Sequence, residues 1–352
     1  MTRLRNAAAL IWAAAAVASC DPAPVSSPAV PIATAAVPAR AESEPVGTPD
    51  QDAADDPAIW RNPRDPARSL IVATDKKAGL YVYGLDGSRR SFLAAGLLNN
   101  VDLIDRGRDG VLVVASDRND LANAKLQIYR LDPQSGVLLP LGAVTGGAGE
   151  AYGVCLWQAR DALYAFSVLK HGAIHQVRIA INGSAPRGEI VRSLKLPTQT
   201  EGCVVDPRSQ LLYVGEELAG IWRFAAPANG SPQGSLVARV DGSHLVADVE
   251  GLALAPRGRA GGYLVASSQG DNSFALYALP QMTPAGRFRI PAGTVGSVEE
   301  TDGIEVSLGS LGPVYPGGLL VVQDGANAPH AQNFKFISWA DVEQALGLAG
   351  RR

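Results

Sequence analysis

The stretches Thr200–Val205, TEGCVV, and Val249–Leu254, VEGLAL, decide the fold of this chain. Each has a polar or acidic pair directly before a short apolar strand, and this pattern occurs six times. The other copies are Asp55–Trp60, Asn99–Ile104, Ala151–Leu156 and Thr301–Val306. The second residues of the pairs stand at 56, 100, 152, 201, 250 and 302, so that the copies are 44 to 52 residues apart.

Two further predicted strands follow each copy. In the first unit they are Leu70–Thr74, which runs into a charged cluster, and Gly79–Tyr83. A repeat of about fifty residues with three or four strands is typical of a β-propeller blade. One such sheet cannot bury both of its faces, so the units must pack on one another. We therefore predict an all-β, six-bladed β-propeller over residues 44–345 rather than a stack of sandwiches, with residues 42–48 closing the ring.

The composition agrees with many short strands joined by tight turns. Apolar residues make up 47% of the 352 residues and charged residues only 18%, with 38 glycines and 24 prolines. The formal net charge is −3, so there is no basic excess of the kind that binds nucleic acid. We expect a monomeric protein with no nucleic-acid partner.

The first residues indicate export. Arg3 and Arg5 precede the short apolar run Ala7–Val17, which is typical of a signal peptide at residues 1–19. The sequence VASC, ending at Cys20, resembles the lipobox of bacterial lipoproteins, so lipidation of Cys20 is predicted; a plain signal peptide is the alternative. Residues 20–43 are predicted to be a flexible tether. The protein is then expected in the periplasm or at the cell surface as a lipoprotein, and otherwise outside the cell.

Two cysteines, Cys155 and Cys203, lie within the repeats. An oxidising compartment favours a disulfide between them. When the repeats are aligned, however, the two cysteines differ by one position along strands of the same role. A shift of one residue reverses the face to which a side chain points. We therefore predict two buried free thiols.

The repeat also predicts where the chemistry lies. In a propeller, the starts of the innermost strands and the ends of the next strands surround one mouth of the central channel. The first set supplies Asp56, Asn100, Tyr152, Glu201, Glu250 and Asp302. The second set supplies Lys76, Lys77, Arg118, Lys170, Glu216, Glu217, Gln269, Asp271 and Asp324.

The charges around this mouth are sorted by sign. Cations come from the first three units and carboxylates mainly from the last three. Clustered carboxylates repel one another unless a hard cation neutralises them, and calcium accepts six to eight oxygen ligands. The opposing basic residues suit an anion with several phosphate groups. Although any one of these residues could be a solvated loop tip, their recurrence in six units favours a calcium-dependent phosphomonoester hydrolase.

Several motifs together resemble a known family. They are Asp52–Trp60 (DAADDPAIW), Thr74–Tyr83 (TDKKAGLYVY), Leu98–Asp102 (LNNVD), Gln199–Gly202 (QTEG), Asp248–Leu252 (DVEGL), Ala266–Gly270 (ASSQG) and Thr301–Ile304 (TDGI). In this order they resemble the β-propeller phytases, the alkaline phytases of bacteria, from about residue 42 to residue 339. The resemblance implies several calcium ions and hydrolysis of phytate, myo-inositol hexakisphosphate.

The resemblance also implies roles for individual residues. Asp56 and backbone oxygens near Val101 would hold a structural calcium. Ligands of the catalytic calcium ions would be Glu201, Glu217, Glu250 and Asp302, with Glu216 and Asp324 as further candidates. Substrate phosphates would meet Lys76, Lys77, Arg118, Tyr152 and Lys170. A calcium-bound water would attack in line, and Lys76, Tyr152, Arg118, Lys170 and Glu217 would form the catalytic set.

Two departures from the family pattern bear on specificity. Glu305 stands where the family commonly has Asp, and His171 stands where it commonly has an acidic or polar residue. Two other functions remain open. A calcium-dependent propeller lactonase needs one central metal in a mostly apolar pocket, which leaves the basic residues unexplained. A non-catalytic binding propeller at the cell envelope would tolerate loss of the carboxylates, all of which are present.

Overall fold

The six-bladed propeller is confirmed. The structure is a computed structural model that describes residues 33–49, 52–160, 162–182 and 185–349. Each blade has four antiparallel strands, and the fifth blade carries β1 (Thr34–Ala36) as an additional strand at its outer edge; strands are numbered in chain order. Successive innermost strands contact one another around the ring, and the sixth returns to the first.

Strands of the same role recur once in each blade. The innermost strands are β3 (Ala54–Trp60), β7 (Leu98–Asp105), β11 (Ala151–Gln158), β15 (Thr200–Asp206), β19 (Val249–Arg257) and β23 (Ile304–Leu308). The second strands are β4 (Leu70–Asp75), β8 (Val111–Asp117), β12 (Leu163–Leu169), β16 (Leu211–Glu216), β20 (Gly261–Ser268) and β24 (Gly318–Asp324). The third strands are β5 (Gly79–Gly84), β9 (Asn123–Leu131), β13 (Ala173–Asn182), β17 (Gly220–Ala225), β21 (Ser273–Ala278) and β25 (Asn333–Ser338). The outer strands are β6 (Arg89–Ala94), β10 (Leu138–Ala148), β14 (Ala185–Lys195), β18 (Ser235–Arg239), β22 (Thr283–Arg289) and β2 (Ala41–Glu42).

The core is divided among the junctions between blades. Within the described part of the chain, one apolar cluster fills each junction, including that between the sixth blade and the first. The alternation of side chains along each strand supplies both faces of a blade, so every blade is buried on two sides. Helix α1 (Trp339–Ala345) covers the junction between the fifth and sixth blades. No helix in the described ranges is long and apolar enough to cross a membrane.

The N-terminal boundary of the propeller lies earlier than the sequence predicts. Strand β2 pairs with β25 and completes the sixth blade, so an N-terminal strand closes the ring as expected. It overlaps the predicted closing segment, residues 42–48, only at Glu42. Strand β1 (Thr34–Ala36) pairs in parallel with β22, and Val37 and Ala39 are buried in the core. The C-terminal part of the predicted tether is therefore ordered. Strands this short leave no period in a sequence. Residues 1–32, including Cys20, lie outside the described residues.

The prediction of free thiols is wrong, because Cys155 and Cys203 form a disulfide with a Cα–Cα distance of 5.7 Å. They lie on β11 and β15, the innermost strands of the third and fourth blades. Blades related by rotation face each other with opposite sides. Two side chains that meet across a junction therefore lie on opposite faces of their sheets, and their positions along the two equivalent strands differ by an odd number of residues. The one-residue offset that was taken to separate the thiols is what brings them together.

A candidate metal and phosphate site

The repeated pair at the start of the innermost strand forms a β-bulge in the first five blades, whereas β23 of the sixth blade begins after its pair and has no register shift. Pairing of β15 with β16 skips across Thr200–Cys203, and pairing of β3 with β4 skips across Ala54–Pro57 in the same way. The residue of β3 that matches Glu201 is therefore Asp55, and Asp56 is displaced by one position. Because a bulge re-aims its two residues, this shift decides which of them enters the site.

The same correction applies to the second blade, where Asn99 rather than Asn100 takes this position. The ring of equivalent residues at the mouth is therefore Asp55, Asn99, Tyr152, Glu201, Glu250 and Asp302. The residue after it is a glycine in the last four blades: Gly153, Gly202, Gly251 and Gly303. A methyl group added at Gly202 would lie 2.1 Å from the carbonyl oxygen of Glu250, so a side chain has no room there. These glycines allow the innermost strands to approach closely.

Three of the predicted calcium ligands form a compact group. One carboxylate oxygen from each of Glu201, Glu217 and Glu250 lies within 4.8 Å of the others, and all three side chains are buried. Two of their oxygens, Oε1 of Glu217 and Oε2 of Glu250, are buried without a hydrogen-bond partner. Buried carboxylate oxygens that are close and unpaired are the donors that a hard divalent cation requires. This group therefore fits calcium.

The protonation of these carboxyl groups reflects the same crowding. Burial raises the pKa of Glu201 well above its usual range, and the neighbouring charges of Asp55 and Glu250 add to the effect. Burial likewise raises the pKa of Glu250, with Asp302 and Glu217 as further causes. Because the carboxylate forms are disfavoured, protons and a metal ion compete for the same oxygens.

Lys76, which the sequence analysis grouped with the phosphate-binding basic residues, lies within this acidic group. Its side chain is 9% exposed, and its ammonium lies 2.9 Å from oxygens of both Asp55 and Asp302 and 2.6 Å from Asp52. These carboxylates raise the pKa of Lys76 against the opposing effect of burial. The ammonium therefore stays charged and offsets part of the negative charge.

Two side-chain amides hold the carboxylates in place through hydrogen bonds. Asn99 donates to Asp55 at 3.1 Å and to Glu201 at 2.7 Å, and so bridges the first and fourth blades. Gln269 donates to Asp302 at 2.7 Å. Burial raises the pKa of Asp302 to about 7, although the neighbouring Lys76 lowers it.

The phosphate-binding candidates surround Tyr152. The Lys170 ammonium lies 5.0 Å from the centre of the Tyr152 ring, and the Arg118 guanidinium lies 5.9 Å from it. Arg118 also contacts Glu150 at 3.4 Å, whereas Lys170 has no ion-pair partner among the residues that the structure describes. The aromatic ring thus holds two cations at a fixed place, of which Arg118 is paired with Glu150 and Lys170 is not paired with a described residue. They can therefore receive an anion.

Gln199 connects Tyr152 to the acidic group. Its side-chain amide donates to the Tyr152 hydroxyl at 3.4 Å, and its backbone carbonyl oxygen accepts a hydrogen bond from the Glu217 backbone amide at 3.1 Å. Burial raises the pKa of Glu217, and the charge of Asp248 raises it further. An open cleft of about 520 Å³ beside this group is lined by Lys170, His171 and Gln199, among others. A larger cavity, of about 700 Å³ around Trp60, lies at the other end of the first blades.

Some of the predicted ligands do not join the group. Both Glu216 carboxylate oxygens accept hydrogen bonds, one from Thr198 and the other from Trp222 at 2.8 Å. Asp324 contacts the buried Lys335 ammonium at 3.1 Å. The side chains of Glu216 and Asp324 are thus used within the protein, and the structure does not bring them to the carboxylate group.

Asp56 lies in the central channel, below the ring at the mouth. Its carboxylate accepts a hydrogen bond from the Val101 amide at 3.1 Å, so the two predicted structural-calcium residues are adjacent. Asp102 and Glu305 line the same narrow space of about 30 Å³. Burial raises the pKa of Asp102 to about 6. Burial and the charge of Asp102 raise the pKa of Glu305 well above its usual range.

Other predicted and unpredicted residues complete the site. Lys77 lies at its edge, 3.5 Å from Asp52. Asp271 pairs with Arg287 and lies outside the carboxylate group. Residues that the sequence interpretation did not assign to the site are Asp52, Asp55, Asn99, Gln199 and Asp248, whereas Gln269 was expected at the mouth. A signal for Asp55 was present, because it is the first residue of an acidic pair, but only the bulge register decides between the two.

The chain is similar to known proteins in sequence and in fold. The Phytase family pattern matches residues 2–350. The chain is 40% identical over 328 residues to a 3-phytase of Bacillus subtilis (strain 168), covering 88% of this chain and 85% of that protein. In fold it is similar to the PQQ-bound aldose sugar dehydrogenase of Streptomyces coelicolor, with a TM-score of 0.54, 13% identity, and coverage of 88% of this chain and 99% of the other. At that identity the second likeness concerns the fold alone.

Proposed function

Because the chain belongs to the phytase family, we propose that it hydrolyses phosphate monoesters of myo-inositol hexakisphosphate with calcium as its cofactor. The observation that carries the proposal is the position of Tyr152. Its ring lies beside two cations, Lys170 and Arg118, and Gln199 bonds its hydroxyl through the side chain and the Glu217 backbone amide through the carbonyl oxygen. A phosphate held by the cations would therefore adjoin the carboxylates that fit calcium.

The basic residues would bind and orient the substrate. Lys170 and Arg118 present charge from the second and third blades, which suits a ligand with several phosphate groups around one ring. Lys76 would act through its fixed positive charge, because its buried carboxylate partners hold it protonated. A charge that is already in place when the phosphoryl group becomes more negative stabilises that state without reorganisation.

Glu201, Glu217, Glu250 and Asp302 would hold the calcium ions. Bound calcium supplies positive charge that neutralises phosphate oxygens and lowers the pKa of coordinated water, which supports attack on phosphorus by water. Asn99 and Gln269 would keep the carboxylates in place through the bonds described above. Asp56, beside Val101 in the channel, would hold a separate, structural ion.

The two other functions fit the site less well. A lactonase site with one metal in an apolar pocket does not account for Lys76, Lys170 and Arg118 at the same mouth. A binding propeller needs no unpaired buried oxygens such as those of Glu217 and Glu250. Neither alternative explains why the carboxylates and the cations adjoin.

The test is phosphate release from phytate at neutral to alkaline pH, with calcium and with a chelator. We expect release that stops on chelation and returns with added calcium. Lys170→Met should lower kcat/KM about 100-fold, because it removes an unneutralised charge at the phosphate. Lys125→Met, on the exposed face of β9, is the matched control and should keep full activity. No phosphate release in excess calcium would contradict the proposal.

A further inference from the structure

The disulfide lies directly beneath the candidate site. Cys155 is three residues after Tyr152 on β11, and Cys203 is two residues after Glu201 on β15. One strand therefore carries the aromatic ring that holds the phosphate-binding cations, and the other carries a calcium ligand. The bond crosses the junction between the third and fourth blades next to both residues.

The two strands also touch at the level of the site. A methyl group added at Gly153 would lie 1.9 Å from the carbonyl oxygen of Glu201, so the backbone beside Tyr152 packs against the backbone of the metal ligand. Any separation of β11 from β15 would therefore change the distance between Tyr152 and Glu201 directly. No flexible side chain lies between them to absorb the movement.

At three other junctions, a polar side chain of a second strand bonds the innermost strand of the next blade. Ser116 of β8 donates to the Tyr152 carbonyl oxygen at 2.5 Å, and Ser267 of β20 donates to that of Thr301 at 2.7 Å. Gln323 of β24 donates in the same way to Ala54 at 3.2 Å. Each comes from the same position of a second strand and reaches the next blade, so these bonds hold the ring of site residues at the mouth.

The third and fourth blades lack this polar residue and have Val168 and Gly215 in its place, while Thr74 of the first blade bonds the Asp56 backbone of its own blade. The register of β11 with β12 places Val168 at the position of Ser116 and Ser267, and valine cannot donate a hydrogen bond. At that junction the disulfide supplies a tie, supplemented by a 3.2 Å bond from the Thr200 hydroxyl to the Leu169 carbonyl oxygen. The cysteines thus stand at one of the junctions where this hydrogen bond is missing, and it is the junction between Tyr152 and Glu201.

We propose that the Cys155–Cys203 disulfide is a positioning element of the site, which sets the distance between Tyr152 and Glu201. This inference rests on the proposed function, since it concerns the same phosphate and calcium residues. Breaking the bond should weaken calcium binding and raise KM for phytate, while the remaining blades keep the fold. The effect should be larger on KM and on calcium affinity than on kcat, because Lys76 and Asp302 lie on other blades.

The first test is chemical. Peptides of the exported full-length protein, alkylated without reduction, should include a cross-linked pair that contains Cys155 and Cys203. Free thiols at both positions would overturn the proposal. Reduction of the folded protein should then separate the peptides and produce the same functional change as substitution.

The second test compares Cys155→Ala, Cys203→Ala and the double variant by equilibrium dialysis of calcium and by phytate kinetics. We expect a rise of about tenfold in half-saturating calcium in all three. The double variant should match the single variants, since one substitution already breaks the bond. Additive effects of the two substitutions would indicate lost packing and contradict the positioning role.

Val205→Ala is the matched control, because Val205 is buried in the same junction core on the same strand as Cys203 and leaves the bond intact. It should lower the melting temperature without shifting half-saturating calcium. An equal shift in Val205→Ala, or unchanged calcium binding and KM in the cysteine variants, would overturn the proposal. If the wild-type protein bound calcium but released no phosphate, the proposed function would fail, and the calcium measurement alone would decide the positioning role.

Discussion

At the scale of single residues, the charge of Lys76 is central to the electrostatics of the site. Its buried ammonium meets carboxylate oxygens of Asp52, Asp55 and Asp302. Removing one partner of a buried charge pair leaves the other charges uncompensated, which is more costly than never having placed the pair there. Lys76 is therefore expected to matter for stability as well as for phosphate chemistry.

Lys76→Met should reduce both activity and stability. With calcium present, kcat/KM should fall about 100-fold through loss of the fixed charge. With a chelator, the free energy of unfolding should fall by about 3 kcal/mol, because three carboxylates lose their counter-charge. Urea unfolding and phytate kinetics measure the two effects. Lys77→Met, which removes a single longer contact to Asp52, is the control, and an equal loss in that variant would contradict the special role of Lys76.

The carboxyl groups predict how stability depends on pH. The folded-state pKa values of Glu201, Glu250 and Asp302 are raised, that of Asp302 to about 7. Without metal, the folded protein therefore binds more protons than the unfolded chain, so stability falls as the pH rises through about 7. The melting temperature in chelator should decrease from pH 5 to pH 8, and calcium should reverse the decrease. A melting temperature in chelator that stays constant or rises would contradict this.

At the scale of elements, the β-bulge that begins the innermost strand of the first five blades is the feature that builds the site. It turns one residue of each repeated pair toward the mouth, and the glycine beside it lets the next blade approach. A strand without the bulge would point the acidic residue to the opposite face.

Gly202→Ala tests the close approach. The added methyl group would overlap the carbonyl oxygen of Glu250, so β15 and β19 must separate. Overpacking of this kind typically costs about 1 to 3 kcal/mol, and calcium affinity should fall with it. Gly261→Ala is the control, because its nearest atom would be the Arg257 carbonyl oxygen at 3.3 Å. Urea unfolding and calcium dialysis provide the comparison, and equal behaviour of the two variants would argue against the role of Gly202.

At the scale of the whole molecule, residues near the N-terminus close the ring. Strand β2 completes the sixth blade, while Val37 and Ala39 enter the core between the fifth and sixth blades. The buried Lys335 ammonium on β25 pairs with Glu42 of β2, which joins the two ends of the propeller. Without β2, the edge of β25 would be open to pairing with other chains.

A chain that begins at Ser43 should therefore be less stable than one that begins at residue 33. Burial of Val37 alone is worth about 1.5 to 3 kcal/mol, and the pairing of β1 and β2 is lost as well. We expect a lower melting temperature and more aggregation of the shorter chain, measured by thermal unfolding and light scattering. Equal stability of the two chains would support the N-terminal boundary at residue 44 that the sequence predicts for the propeller.

Export and lipidation remain predictions that concern residues before the propeller. If the lipobox functions, the mature protein begins at Cys20 and carries acyl chains. Mass spectrometry of the protein isolated from membranes should then give an N-terminal peptide starting at Cys20 with a lipid-sized mass increase. A peptide that starts at Cys20 or later without added mass would indicate a plain signal peptide. Cys20→Ala should release the protein from the membrane fraction.

The sequence by itself determined the all-β fold, the six blades and the residue types at the mouth. These follow from a period that repeats over nearly the whole chain, and a repeated strand pattern can bury its apolar residues in few ways. Glu201, Glu250, Tyr152 and Asp302 were placed at the mouth for the same reason. The family resemblance added calcium and phytate.

Only the tertiary structure decided which member of each pair enters the site and which cysteines meet. A bulge shifts the register by one residue, so Asp55 rather than Asp56 joins Lys76, and strand alternation read without the bulge selects the wrong one. The Cys155–Cys203 bond depends on how neighbouring blades face each other, which no single strand contains. The first outcome is set by a contact 21 residues apart in sequence and the second by a contact 48 residues apart, and for this reason local sequence patterns could not reveal them.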